Sequence, residues 1–345
     1  MKERKWELDM IRVIACFFVV VIHVASYGME LKDPSTFDWG VRNAALCMVR
    51  CAVPVFFMLS GVLFLEREIP LKTLYRKYVL HLAAVWALWS AFYAGIDAVA
   101  ALNKGESPLY CFLVRFWSGH YHLWFLPTLL GAYLLYPVLR ILVRHGTDAQ
   151  MKYLGILVLA GVVLRKTLEP FLASDVWDTA WKNLGFPEFS SGVIYFVLGY
   201  YLYRSYQRFS PAVCAGVYAG SAALMCIVNQ LWALRAGMHT NVTYNYSGLG
   251  LFLAASAFFM LLLHLLQNRR VSDRMKQAAV CVSECTLGIY LIHTLFIEQV
   301  YRRIGLTQER FPALISVIGF SVLTFILSFA AVWCMRRVFR MGKRR

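Results

Sequence analysis

Three ionisable side chains within one apolar stretch set the chemical question. The stretch Leu8–Gly28, LDMIRVIACFFVVVIHVASYG, carries Asp9, Arg12 and His23. An imidazole, with an unperturbed pKa of about 6.5, is the side chain best suited to moving a proton at neutral pH. A guanidinium offers a planar fork of donors that fits a phosphate, a carboxylate or a carbonyl. At about 100° per residue of helix, Arg12 and His23 project within roughly 20° of one another, about 16 Å apart along the axis. Asp9, one turn before Arg12, shares that face and is placed to pair with it.

Further residues of the same kind recur in other apolar stretches. Arg50 opens VRCAVPVFFMLSGVLF, where Pro54 and Ser60-Gly61 are expected to break the helix toward a cavity. His122 and Trp124 lie in YHLWFLP, and Glu284 and His293 in SECTLGIYLIHTLF. His23, Arg50, His122 and His293 are expected in the outer half of a membrane, with Glu284 nearer the cytoplasm. Arg50, His122, Trp124, Glu284 and His293 form the candidate substrate-binding set. Arg12, Lys72, Arg76 and Lys77 stand on the cytoplasmic side, where they suit the phosphates of a cytoplasmic ligand.

The elements that must position these groups are membrane helices. Of the 345 residues, 60% are hydrophobic and 15% aromatic, and the mean hydropathy is +0.58, outside the range of soluble domains. About 20 apolar residues cross the hydrocarbon as a helix. Ten spans are expected, near residues 8–28, 44–65, 78–100, 121–140, 153–171, 189–204, 211–232, 248–267, 278–301 and 312–335. The fold class is therefore an all-α bundle of ten transmembrane helices, one integral domain over 1–345, with both termini cytoplasmic. The segment 103–121 reads as an outer loop, and 169–189 as an interfacial helix.

The net charge of +16 follows topology. Placing the N-terminus inside puts 22 Lys and Arg in or beside cytoplasmic segments against 11 in outer segments and the outer ends of spans, the bias of the positive-inside rule. That distribution argues for contact with membrane lipids and against a nucleic-acid partner. The nine cysteines show no paired CxxC spacing, so neither a disulfide framework nor a metal site is expected.

A charge at the membrane centre costs about 2.5–3.5 kcal/mol, which makes buried ionisable groups functional candidates. For Asp9 and Arg12, near the surface, the alternative is snorkelling alone. His23 lies past the midplane, where the alternative is a histidine hydrogen-bonded within the bundle.

Four motifs in order carry a resemblance: Arg12 to His23 as R-x10-H, VPVFFMLSGVLF after Arg50, YHLWFL around His122, and TLGIYLIH ending at His293. Over nearly its full length the chain resembles the acyltransferase-3 family of bacterial integral-membrane acyltransferases. The resemblance implies O-acyl transfer, usually of acetyl, from cytoplasmic acetyl-CoA to a hydroxyl of a cell-envelope glycan or lipid-linked sugar in the inner membrane. It places the family's essential pair on Arg12 and His23, with Asp9 beside them. The family's basic cluster falls on Lys72 and Arg76; some members carry Arg-x-x-Arg followed by Pro, and here Val79 takes the second position.

A sugar hydroxyl needs a base to attack a thioester, and His23 suits that task. With no GxSxG elbow in the chain, direct transfer is favoured over a serine acyl-enzyme; an acyl-histidine is also compatible. The competing class is a transporter or flippase for an envelope glycan, since broken helices and polar residues near the midplane serve such proteins too.

Overall fold

The computed structural model describes residues 4–172, 174–183, 190–267, 269, 271–306 and 308–342. Helices are α1 (Trp6–Ser26), α2 (Phe37–Val49), α3 (Ala52–Leu65), α4 (Leu80–Leu102), α5 (Pro108–Ser118), α6 (Phe125–His145), α7 (Asp148–Val158) and α8 (Arg165–Leu172). They continue as α9 (Asp175–Asn183), α10 (Ser191–Ser205), α11 (Pro211–Ala236), α12 (Leu249–Leu266), α13 (Asp273–Ser283), α14 (Thr286–Leu295) and α15 (Ala313–Gly342). No strand occurs among the described residues. Starts are marked in the sequence: Ser107 and Ser210 each cap a helix whose first residue is proline, and Thr147 with Gln150 forms a capping box.

Among the described residues, seven helical stretches are long and apolar enough to cross a membrane, and an eighth arises if α13 and α14, bent by 53°, are one broken span. The chain is a multi-pass membrane protein. The two other expected crossings are also helical. One runs from α7 through α8 and carries Arg165, Lys166 and Glu169; the other is α10, whose 15 residues reach only about 22 Å. Of the interfacial helix expected over 169–189, α9 accounts for 175–183, while 173 and 184–189 lie outside the described residues.

Helix α1 is the hub, packed against α2, α3, α12, α13, α14 and α15. Helices α3 and α10 approach more closely than side chains allow. A Cβ on Gly61 would sit 1.7 Å from the Phe196 carbonyl oxygen, and one on Gly199 would sit 2.3 Å from the Met58 Cα. Gly61 is thus a contact point rather than a break. α3 runs unbroken through it, with Ser60 Oγ bonded to the Phe56 carbonyl at 2.9 Å. The irregularity falls earlier, at Arg50–Cys51. There Pro54, in the first turn of α3, has no N–H to give the Arg50 carbonyl.

The segment 103–121 is not simply a loop. α5 lies against α4, and the chain then breaks at Gly119, with φ 71° and ψ 161°, a conformation essentially reserved for glycine. His120 to Trp124 cross this break before α6 begins. Irregular backbone inside a membrane protein persists only where protein or a water-filled cavity surrounds it, and here the break turns two histidines inward.

Candidate active site

One cavity of about 470 Å³ lies between α1, α3, α4, α6 and α14. Toward one end its wall includes Arg12, Lys77, Tyr78 and His81; toward the other, Arg50, Tyr121, His122, Trp124 and Tyr246. Helical periodicity supplies the walls. Arg12, Cys16, Val19 and His23 on α1 follow three- and four-residue steps, as do Val53, Phe56 and Ser60 on α3 below Arg50. His23 stands at the second of these ends, beside Tyr121 and His122, so the Arg12–His23 face of the sequence is one wall of a real cavity.

The Arg12 end is a polar knot. Asp9, only 4% exposed, accepts from Arg4 Nε at 2.7 Å, from Ser283 Oγ at 2.6 Å and from Arg12 Nη1 at 3.4 Å. Arg12 Nη1 also donates to Ser283 Oγ at 3.1 Å. The bend after Ser283 brings that hydroxyl to α1 and turns Thr286 into the cavity. Asp9 itself does not line the cavity; it orients Arg12, which does.

His23 stands at the edge of an imidazole cluster. Its ring centroid is 4.9 Å from His293, 6.2 Å from His122 and 5.5 Å from Tyr121. His293 is fully buried; its Nδ1 lies 2.7 Å from the Tyr290 carbonyl and 3.2 Å from the Ile289 carbonyl. A carbonyl only accepts, so His293 is protonated on Nδ1, and its Nε2 is buried without a partner among the described residues. The Tyr290 hydroxyl donates to the His122 carbonyl, and His122 Nδ1 lies 2.7 Å from His120 Nδ1. His120 stacks on Tyr93 at 4.3 Å, and its Nε2 is 3.4 Å from the Glu298 carboxylate. Among the described residues no group of three or more His, Cys, Asp and Glu is placed to hold a metal ion.

The candidate residues divide by place. Arg12, His23, Arg50, Lys77, His122 and Trp124 line the cavity, and His293 backs His23. Lys72 and Arg76 are exposed and outside the lining. Glu284 is also outside it, bonded to Arg4 at 3.1 Å and to Arg336 at 2.7 Å. Val79, at the second position of the family's arginine pair, is packed with Phe64, Leu65 and Tyr136. His120, Glu298, His81 and the tyrosines at 121, 133 and 290 are additions that sequence reading did not single out. Of these, only His120 carried a usable signal, standing two residues before His122 in a segment with a glycine break.

The arrangement, with His23 and His122 lining a cavity whose wall also holds Arg12, Lys77 and Arg50, suits proton transfer on a ligand held there. No curated protein and no solved structure matches the chain. The family described as Acyltransferase domain matches residues 5–333, nearly the whole chain, and the chain therefore belongs to this acyltransferase-3 family of membrane acyltransferases.

Proposed function

We propose that this protein is an O-acetyltransferase of the bacterial inner membrane. It moves an acetyl group from cytoplasmic acetyl-CoA to a hydroxyl of a cell-envelope glycan or lipid-linked sugar. The single observation that carries this reading is one cavity lined by Arg12 and Lys77 toward one end and by His23, Arg50 and Trp124 toward the other. The positive-inside bias supports putting both termini and the Arg12 end in the cytoplasm.

In this reading Arg12 and Lys77 hold phosphates of the donor, with Lys72 and Arg76 attracting it from the surface. The pantetheine arm spans the roughly 16 Å of helix between Arg12 and His23 and brings the thioester to the imidazole. His23 takes the proton of the acceptor hydroxyl as its oxygen attacks the thioester carbonyl carbon. The tetrahedral intermediate collapses, the C–S bond breaks, and the proton passes from His23 to the coenzyme A sulfur. His293, protonated on Nδ1, faces His23 from behind. Within the family we read the chain as most like the enterobacterial common antigen O-acetyltransferase, a reading under which the acceptor is a surface glycan or its lipid-linked precursor.

Membranes containing the protein, supplied with acetyl-labelled acetyl-CoA, test the reading: label should pass to an envelope glycan. Loss of one acetyl mass from the same glycan on deleting the gene would identify the acceptor. Glycan movement without acetyl-CoA consumption would contradict it and favour a transporter.

A further inference from the structure

Arg12, Arg42 and Arg50 lie on the inner helices, and two of them are answered by an acid. Arg12 is held by Asp9 and Ser283. Arg42, 1% exposed, pairs with Asp38 at 3.3 Å and donates to the Ala25 carbonyl at 3.2 Å. Arg50 makes neither an ion pair nor a hydrogen bond among the described residues, and its Nε and Nη1 are buried without a partner. Its neighbours are aromatic instead. The guanidinium carbon lies 4.2 Å from the Tyr244 ring centroid and 5.7 Å from that of Tyr246. Trp124, 37% exposed, lies 5.1 Å from Tyr246, and Arg50, Tyr246 and Trp124 line the cavity together.

An aromatic face offsets only part of a guanidinium's lost hydration, and buried N–H groups without acceptors cost stability. Arg42 shows how this fold satisfies an arginine whose role is structural. Arg50 differs in standing at a cavity wall with its fork unfilled, the state expected of a group whose acceptor arrives with a ligand. Beside it, Trp124 offers a partly open ring against which the apolar face of a sugar can lie.

We propose that Arg50, Tyr246 and Trp124 form the acceptor subsite, and that it selects an anionic sugar: a hydroxyl-bearing unit with its own carboxylate or phosphate. This rests on the acyl-transfer reading and narrows it. The anion accepts from the Arg50 fork, the sugar packs on Trp124, and the free hydroxyl is left to face His23 in the same cavity. The donor's phosphates are met elsewhere, by Arg12 and Lys77.

The test uses the purified full-length protein in lipid nanodiscs, labelled acetyl-CoA and three soluble acceptors: methyl glucuronide, glucose 1-phosphate and methyl glucoside. At least one charged sugar should exceed the neutral one in kcat/KM by about 10²-fold, the scale set by a charge-assisted pair. Which charged sugar wins separates a uronic carboxylate from a sugar phosphate. Arg50→Gln should abolish the preference through KM, and Arg50→Lys should retain part of it. Equal kcat/KM for charged and neutral sugars in the wild type overturns the subsite, whatever the variants do. Loss of acetyl-CoA affinity in Arg50→Gln also overturns it, by assigning the arginine to the donor. If no sugar accepts label although acetyl-CoA binds, the subsite falls, and the acyl-transfer reading falls with it when membranes containing the protein also pass no label to a glycan.

Discussion

His120 and His122 meet nitrogen to nitrogen, their Nδ1 atoms 2.7 Å apart, so one ring donates and the other accepts. The Glu298 carboxylate lies 3.4 Å from His120 Nε2, on the far side of that ring. A partly exposed carboxylate and two imidazoles thus form one chain of contacts ending at the cavity wall, where His122 Nε2 is left without a hydrogen-bond partner among the described residues.

Glu298 is therefore predicted to position His122 rather than to touch either substrate. Glu298→Gln keeps the size and removes the charge. Turnover should fall about tenfold, as when an outer orienting partner is lost, while the KM for acetyl-CoA stays within twofold. An unchanged kcat would reduce the pair to packing.

Arg12 should not tolerate lysine. Its Nη1 reaches both Asp9 and Ser283, and a guanidinium retains further donors for a phosphate or carbonyl. An ammonium is a point charge on a flexible stem. Arg12→Lys is expected to weaken acetyl-CoA binding about tenfold, read by titration calorimetry on the purified protein. Wild-type affinity and turnover together would make Arg12 a snorkelling topology marker.

The α3–α10 contact yields a prediction about the scaffold. Gly199→Ala forces a Cβ to within 2.3 Å of the Met58 backbone, which cannot yield without separating the helices. It should cost about 3 kcal/mol and lower the unfolding temperature in detergent. Gly216→Ala on α11 meets nothing within 4 Å and should leave that temperature unchanged or raised. Equal behaviour of the two variants would refute the close approach.

What the sequence discloses and what it conceals divide along one physical line. Periodicity within a helix is local, so the common face of Arg12 and His23 was readable; Arg50 and His122 line the same cavity and His293 lies against His23. Partners that meet across the fold were not readable. Glu298 lies 178 residues from His120, and Ser283 is 274 residues from Asp9; neither leaves a trace in spacing. The helix Pro108–Ser118 was hidden because its 11 residues are too few to cross the hydrocarbon and lie in a short segment between two longer apolar runs. Nor could Ser60-Gly61 be told apart by composition, since a small pair marks a break or a close contact alike. The same limit explains Glu284, included in the candidate binding set although expected nearer the cytoplasm, whose carboxylate is taken up by Arg4 and Arg336.

The central claim is that His23 is the base, and His23→Gln tests it most directly. Glutamine keeps a hydrogen-bonding side chain of similar reach but cannot accept a proton at neutral pH. Acetyl transfer and acetyl-CoA binding should be measured separately on the purified variant. Transfer is predicted to fall by about 10²–10⁴-fold, the usual contribution of a general base, with donor affinity within twofold of wild type. A glutamine variant that transfers acetyl at the wild-type rate would contradict the account, leaving His23 a hydrogen-bonded residue of the bundle and passing the base to His122 or His293.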